Sequence, residues 1–284
     1  MRFGAVIPYA TEREFTQLAA VAEQAGWDQV FSWEAVWGQD AWVTLGAAAM
    51  TTEHIRLGTL LTPAARHRPW DLASRVASVD RLSGGRVTLG VGLGALHGNW
   101  LAFEEDEGRA VRARKLDEGL AVYAGLMGGQ PFEFGGEHYS ARPVTELVPP
   151  PPVQRPHPPV WCVGMLVPRR RRQRSLERAA RWQGVFPAVA GGTLDDPGSR
   201  LTHDGLREVV DRIGVLRAEG GLTMDGYDVV VEGDSHGDFG SVRPPVRQWA
   251  DAGATWWVES WWDLPDTAEG RAETRRRLEL GPPR

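Results

Sequence analysis

The stretch from Ile55 to Gly94 constrains the fold more than any other part of the chain. Its first part, Ile55–Leu61, is a short apolar run of the kind that forms a parallel strand covered on both faces. Pro63 has no N–H to donate, so we expect the strand to end before it. Pro69 suits a first helical turn, apolar residues recur at helical spacing after it, and Val87–Val91 is a second apolar run. The stretch therefore predicts one right-handed strand–helix–strand unit.

Strand and helix patterns alternate through the rest of the chain. Eight such pairs in 284 residues predict an α/β fold, a closed (β/α)8 TIM barrel, with a single domain over residues 1–284. Residues 130–159 break the pattern and predict an irregular insertion between the fourth helix, Arg109–Met127, and the fifth strand, Val160–Val163. The run Pro149–Pro152 is typical of a stiff, extended segment. A linker between two domains is the alternative interpretation of this insertion.

Composition excludes several classes of protein. A net charge of −5 and a pI near 5.8 argue against a nucleic-acid partner. A single cysteine, Cys162, excludes an internal disulfide and fits a reducing compartment, so we expect a cytoplasmic protein. No apolar run reaches about 18 residues, so we expect no membrane span. Ile7-Pro8-Tyr9 stands where a His-x-His would indicate a metal-dependent hydrolase, and the sequence predicts no metal site.

The sequence motifs of the stretch from Ile55 to Gly94 are more specific than its strand–helix–strand pattern. It contains Leu-Gly-Thr-x-x-Thr-Pro from Leu57, Arg-x-Arg-Pro-Trp from Arg66, Asp-Arg-Leu-Ser-Gly-Gly-Arg from Asp80 and Leu-Gly-Val-Gly-x-Gly from Leu89. These motifs resemble the bacterial luciferase-like monooxygenase family, and the likeness extends over nearly the whole chain. The resemblance implies an oxidoreductase that uses reduced FMN or the deazaflavin coenzyme F420 for hydride transfer or oxygen insertion. It also implies a possible flavin reductase that supplies reduced cofactor, and a possible homodimer.

The resemblance also implies which residues contact the cofactor. In such barrels the active site lies at the carboxyl ends of the strands. The family pattern gives the third strand a bulge under the flavin ring, and we predict a cis peptide bond at Thr59–Leu60. Glycine at the end of the fourth strand lets a ring approach the backbone, although a tight turn would also require it. A glycine before the next helix would offer N–H groups to a phosphate. The predicted cofactor residues are Trp33, Thr59, Leu60, Leu93, Gly94, Gly164 and Met165.

The acid–base residues of the family are missing here. Deazaflavin-dependent relatives carry Asp-His after the second strand, where this chain has Glu34-Ala35, and sugar-phosphate dehydrogenases of the family carry a glutamate where this chain has Ala95. Glu34 could act as a base or serve a structural role, and we assign Glu34 and Trp37 as catalytic candidates. The run Arg66-His67-Arg68 is expected to be a solvated loop or to place a charge at the start of the following helix. Thirteen tryptophans indicate either a large aromatic core and interface or an aromatic-walled pocket. If Trp33, Trp37, Trp261 and Trp262 line a pocket, they favour an apolar or aromatic substrate, and we place Tyr9, His97 and Trp261 in that pocket.

Two other functions are open at this point. A glycosidase-like hydrolase could use strand-end carboxylates such as Glu34, Glu232 and Glu259, which would need a separation of roughly 5–9.5 Å. A barrel that has lost its acid–base residues could survive as a non-catalytic protein.

Overall fold

Eight parallel strands form a closed barrel in the computed structural model, which describes residues 1–96, 99–189, 201–235 and 246–283. The order of the strands around the barrel is β1-β10-β9-β8-β7-β4-β3-β2. The (β/α)8 prediction is therefore confirmed. The barrel strands are β1 (Arg2–Val6), β2 (Gln29–Ser32), β3 (Arg56–Pro63), β4 (Val87–Gly92), β7 (Val160–Leu166), β8 (Gly184–Val189), β9 (Asp228–Gly233) and β10 (Trp256–Ser260). Two short strands, β5 (Phe134–Gly135) and β6 (Ser140–Ala141), pair separately as an antiparallel hairpin.

Helices alternate with the barrel strands, as the sequence predicts. They are α1 (Glu12–Gln24), α2 (Ala41–Ala49), α3 (Pro69–Leu82), α4 (Trp100–Phe103), α5 (Arg109–Gly128), α6 (Arg174–Ala179), α7 (His203–Glu219), α8, described over residues 246–251, and α9 (Ala268–Glu279). Three of these helices begin at a capping side chain, which accepts hydrogen bonds from free N–H groups of the first turn. The capping residues are Asp40 for α2, Thr202 for α7 and Thr267 for α9. No helix within the described ranges has the length and hydropathy needed to cross a bilayer.

Two predicted strand ends were wrong. β3 includes Pro63, which takes the last position of the ladder beside Gly92. A proline is tolerated there because the ladder needs no further N–H. β7 continues past Val163 to Leu166, because its backbone keeps pairing in register with β8 as far as Val189. Gly164 and Met165 consequently lie within a strand rather than after it.

The chain divides into two compact units. The first unit comprises Met1–Tyr9, Val21–Val30 and Val160–Arg284, and the second comprises Ala10–Ala20 and Phe31–Pro159.

The first unit is organised around a buried carboxylate. Asp228 accepts hydrogen bonds from the indole N–H groups of Trp161 (3.1 Å) and Trp256 (2.9 Å) and from the guanidinium of Arg2 (2.6 Å). The Arg2 guanidinium also lies over the Trp256 ring at 4.4 Å. Cys162, which follows Trp161 on β7, is fully buried.

The second unit holds the irregular segment with two carboxylates. Asp80 of α3 is fully buried and accepts hydrogen bonds from the backbone N–H groups of Val153 and Gln154 at 2.7 and 3.0 Å. Glu118 of α5 accepts three backbone N–H groups from residues 137–139, in the turn between β5 and β6. Carboxylates that accept several N–H groups fix a segment with little regular structure of its own.

Candidate active site

A bulge in β3 shapes the end of that strand. The pairing of β3 with β4 shifts between Thr59, opposite Leu89, and Thr62, opposite Val91, so β3 carries one extra residue. The Thr59 hydroxyl donates to the Gly90 carbonyl oxygen at 3.1 Å, and the Thr62 hydroxyl donates to the Thr59 hydroxyl at 3.0 Å. The predicted bulge is confirmed. The cis peptide bond is Leu60–Leu61, one residue after the predicted position.

The bulge determines which residue β4 can carry beside it. A Cβ at Gly90 would lie 2.2 Å from the Thr59 carbonyl oxygen, which is a backbone atom and cannot rotate away. The bulge and the glycine are therefore one structural feature. Thr59 and Leu60 are both buried beneath this strand end.

The end of β4 is fixed by a buried arginine. Arg112 of α5 donates to the carbonyl oxygens of Leu93 and Gly94, both at 3.1 Å, and lies 3.1 Å from the carboxylate of Asp106. Gly94 has φ +74°, and a Cβ there would lie 2.6 Å from the Trp100 ring and 2.7 Å from Pro63. The turn geometry and the protein packing thus require this glycine by themselves. Contact of Leu93 and Gly94 with a cofactor stays a prediction.

The Trp100 ring lies between two guanidinium groups. Arg66 lies over it at 5.3 Å and Arg112 at 5.4 Å. Both contacts lie within the second unit, and they join the end of β4 to the loop that follows β3.

A histidine and a glutamate meet at the ends of β2 and β3. The Nε2 atom of His67 lies 2.9 Å from Oε2 of Glu34, and the two side chains are only 16% and 8% exposed. The expectation of a solvated loop was wrong for His67 and Arg66, because His67 contacts Glu34 and Arg66 lies over Trp100, whereas Arg68 is exposed as expected. Neither contact has a signal in the local sequence, since the partners lie on other elements.

The aromatic candidates near Glu34 differ in exposure. Trp33 is half-buried, whereas Trp37 is 87% exposed, has φ +49° and contacts Phe103 edge-on at 6.2 Å. A catalytic role for Trp37 stays a prediction.

The first unit carries the remaining candidates. A Cβ at Gly164 would lie 2.5 Å from Val185 and 2.8 Å from Leu176, so tight packing requires this glycine. The Met165 N–H donates to Ser175 and the Val167 N–H to Gln173, at 3.0 and 2.7 Å. These two N–H groups are therefore already engaged before α6, and a phosphate contact there stays a prediction.

A buried glutamate ends β10. Glu259 accepts hydrogen bonds from the indole N–H groups of Trp257 (2.8 Å) and Trp261 (3.2 Å) and from the Ser235 backbone N–H (3.0 Å). Burial raises the pKa of Glu259 above its ordinary value, against the lowering effect of these donors. The carboxylate is fully buried, so it offers no surface to a sugar substrate. Glu232, the other candidate in this unit, accepts from the Trp262 indole N–H at 2.6 Å.

The predicted substrate residues are spread over the chain. Trp261 is enclosed by protein, packing against Trp27 at 6.3 Å and under Arg277 at 5.7 Å. Tyr9 is half-buried. His97 lies outside the described residues. The shared pocket of these three residues stays a prediction.

Glu118, Glu137 and His138 place one ligand atom each within 4.8 Å of one another. Partial burial raises the pKa of Glu118, but the backbone N–H groups of His138, Tyr139 and Glu137 lower it on balance. These N–H groups contact both carboxylate oxygens, so Glu118 holds the hairpin against α5.

The ends of β2, β3 and β4 carry the candidate features of the second unit. They combine a bulged apolar strand, a glycine turn held by Arg112 and a buried histidine–carboxylate pair. An apolar surface with a few placed polar groups is the usual composition of a cofactor site.

Comparison with known proteins identifies the family. The F420-dependent glucose-6-phosphate dehydrogenase of Beutenbergia cavernae is 37% identical over 143 residues, which cover 47% of this chain. The match spans 42% of that relative, so less than half of its length. The monooxygenase RslO1 from Streptomyces bottropensis superposes with a TM-score of 0.75 at 21% identity, covering 99% of this chain and 97% of that one. The coenzyme F420-dependent tetrahydromethanopterin reductase from Methanopyrus kandleri gives a TM-score of 0.73 at 16% identity, covering 98% and 96%.

These two structures show the shared fold alone. The model of the family described as luciferase-like monooxygenase matches residues 1–234, most of the chain. The chain therefore belongs to the luciferase-like monooxygenase family.

Proposed function

We propose that this protein is an oxidoreductase that binds coenzyme F420 or FMN at the carboxyl ends of the barrel strands and transfers a hydride to or from a small organic substrate. The observation that carries the proposal is the bulged end of β3 together with the buried Glu34–His67 pair. Family membership supports the class of cofactor.

Coenzyme F420 is the cofactor we favour. The relative from B. cavernae is named for its use of F420, and its match covers about half of this chain at 37% identity. FMN is the alternative that the family resemblance implies. A flavin reductase would be needed as a partner only if FMN is used in its reduced form.

The chain's own residues would hold and shield the ring. The Thr59 and Thr62 hydroxyls fix the bulge on which its face would rest, and Arg112 fixes the glycine turn at the end of β4. Glu34 orients the imidazole of His67. When bound, the cofactor supplies or accepts the electron pair, and the protein supplies orientation and exclusion of water.

We propose a small apolar or aromatic substrate. Trp37, Phe103 and Leu101 are all largely exposed in the second unit and provide apolar surface after β2 and β4. Oxygen insertion is the second reaction open to this family, and it differs from hydride transfer in consuming O₂.

We also propose that the protein is a homodimer in the cytoplasm. The outer face of α2 presents Val43, Ala47 and Met50, and the end of α3 adds Leu82, all exposed. An exposed apolar face of this kind is typical of a subunit interface.

Equilibrium binding to the purified protein tests the proposal. We expect F420 or FMN to bind and to be detected by the change in cofactor fluorescence, with a Thr59→Val variant binding more weakly because the bulge loses the two hydrogen bonds of the Thr59 hydroxyl. A Thr202→Val variant, which loses a hydrogen bond at the start of α7 instead, is the matched control and should bind normally. Absence of binding of either cofactor up to about 1 mM, roughly −4 kcal/mol, would overturn the proposed function and leave a hydrolase or a non-catalytic barrel.

A further inference from the structure

The Glu34–His67 pair is built by two neighbouring strand ends. Glu34 follows the last residue of β2 by two positions, and His67 follows β3 after the single 3-10 turn Ala64–Arg66. β2 and β3 are adjacent in the barrel, so both side chains lie at the end where barrel active sites are found. The 2.9 Å contact and the low exposure of both side chains make it a largely desolvated charge-assisted pair.

The contact also determines which ring nitrogen of His67 carries the hydrogen. An ionised carboxylate can only accept, so Nε2 must donate to Glu34. The neutral ring then has its lone pair on Nδ1, which has no hydrogen-bond partner in the described part of the chain. A neutral imidazole whose other nitrogen is held by a carboxylate is a base ready to accept a proton, since the carboxylate stabilises the resulting imidazolium.

The flanking residues fix the position of His67. Arg66 stacks on Trp100, and the Arg68 guanidinium lies 6.0 Å from the Trp70 ring, just before α3 begins at Pro69. Arg66 and Arg68 are thus the charged residues that flank His67 in sequence. Both arginines are engaged with aromatic rings, and Glu34 is the group that contacts the imidazole.

We propose that His67 is the proton acceptor and donor of the proposed oxidoreductase and that Glu34 is its positioning residue. This inference rests on the proposed function. When the substrate is oxidised, its C–H bond breaks and the electron pair leaves with the hydrogen to the bound cofactor. The proton of the same substrate's O–H or N–H group goes to Nδ1 of His67, and the imidazolium is stabilised by Glu34. In the reverse direction Nδ1 returns the proton. His67, in the loop after β3, would take the place of the histidine that this chain lacks at Ala35.

The first experiment examines the protein without cofactor. Nitrogen-15 NMR of histidine-labelled protein at pH 8, where an ordinary histidine is neutral, should show His67 as the Nε2–H tautomer. A Glu34→Ala variant should show a smaller excess of this tautomer, because nothing then holds the hydrogen on Nε2. An Nδ1–H tautomer in the wild-type protein would overturn the proposal, because Nδ1 could not then accept a proton.

The second experiment measures the midpoint potential of bound F420 or FMN as a function of pH. Suppose that His67 gains one proton when the bound cofactor is reduced by two electrons. Each pH unit then changes the equilibrium constant for reduction by a further factor of ten, and the midpoint potential falls by about 30 mV more per pH unit. We expect the wild-type slope to exceed that of His67→Gln by up to this amount. Glutamine can still donate to Glu34, so the loop contact is kept.

The matched control is His138→Gln, since the side chain of His138 is 15% exposed, much like that of His67, but lies on the β5–β6 hairpin. It should keep the wild-type slope. Glu34→Gln, which keeps an acceptor and removes the charge, should flatten the slope and gives a second test if His67→Gln does not fold. Equal slopes in the wild-type, His67→Gln and Glu34→Gln proteins would overturn the inference while leaving the proposed function intact. Failure of both cofactors to bind would overturn the function itself.

Discussion

At the scale of single residues, the type of amino acid is often fixed by a neighbour's backbone. Gly90 is the clearest case, since the bulge turns the Thr59 carbonyl to within 2.2 Å of where a Cβ would stand. The glycine thus belongs to the shape of the site although it lies in the middle of a strand.

A Gly90→Ala substitution should destabilise the protein. The added methyl meets a carbonyl oxygen rather than a flexible side chain, so either the bulge or the strand must move, at about 1–3 kcal/mol. The measurement is the free energy of unfolding in urea. Gly214→Ala in α7 is the control, since nothing lies within 4 Å of its Cβ, and it should stabilise by about 0.5–1 kcal/mol. An unchanged free energy of unfolding in Gly90→Ala would show that the bulge can shift to make room for the methyl group.

Glu259 makes the free energy of unfolding depend on pH, and the raised pKa of this residue determines the direction of the change. Because burial raises its pKa in the folded protein, the unfolded chain ionises first as pH rises above about 4.5. Stability from this group is therefore present at low pH and lost as pH rises through the raised value.

A Glu259→Gln variant removes this loss. We expect the difference in unfolding free energy, variant minus wild type, to grow as pH is raised from 5 to 8. The change in the acceptor for Trp257 adds a contribution to this difference that does not vary with pH. Urea denaturation at four pH values measures it. Glu53→Gln, at a side chain that is 86% exposed, should leave the wild-type slope unchanged. A difference that shrinks as pH rises would mean that the carboxylate is stabilised in its charged form.

At the scale of elements, local patterns predicted which segments are strands and helices, but not how their ends are joined. The bulge could be predicted because the motif from Leu57 is specific in sequence. The His67–Glu34 and Arg66–Trp100 contacts could not, because each joins residues more than thirty positions apart and depends on the placement of two loops. Likewise Val163 looked like a strand end because Gly164 follows it, whereas tight packing of that glycine against Leu176 lets the strand continue.

Arg112 shows how one helix controls a strand end. An Arg112→Met substitution would leave the Leu93 and Gly94 carbonyls and the Asp106 carboxylate without their buried donor. We expect faster amide hydrogen exchange in residues 99–104 and weaker cofactor binding. Arg114→Met, which removes a more exposed ion pair with Glu137 from the same helix, is the control and should change neither. Unchanged exchange in the Arg112 variant would show that Trp100 packing alone holds this turn.

At the scale of the whole molecule, the alternation of strands and helices was enough to predict the closed barrel, since eight parallel strands leave few other arrangements. The number of subunits is harder to predict from the sequence. An apolar helix face can belong to the core or to a subunit interface, and only the fold shows whether that face is exposed. The face formed by Val43, Ala47, Met50 and Leu82 is exposed in the single chain.

A Met50→Glu substitution should weaken the proposed dimer. A charge at the centre of a buried apolar interface loses its hydration, so the dissociation constant should rise at least tenfold, measured by analytical ultracentrifugation. Leu147→Glu, at a fully exposed side chain, is the control and should leave the dissociation constant unchanged. A wild-type protein that sediments as a monomer at all concentrations would rule out this interface.

The single cysteine has a practical consequence. Cys162 is fully buried in β7, and the sequence has no second thiol. A thiol-reactive dye can therefore attach only when the structure around β7 opens, and its rate of attachment reports the frequency of that opening. A cysteine introduced on the surface would react far sooner, so fluorophores or spin labels can be placed one at a time on the native background without first removing a natural site.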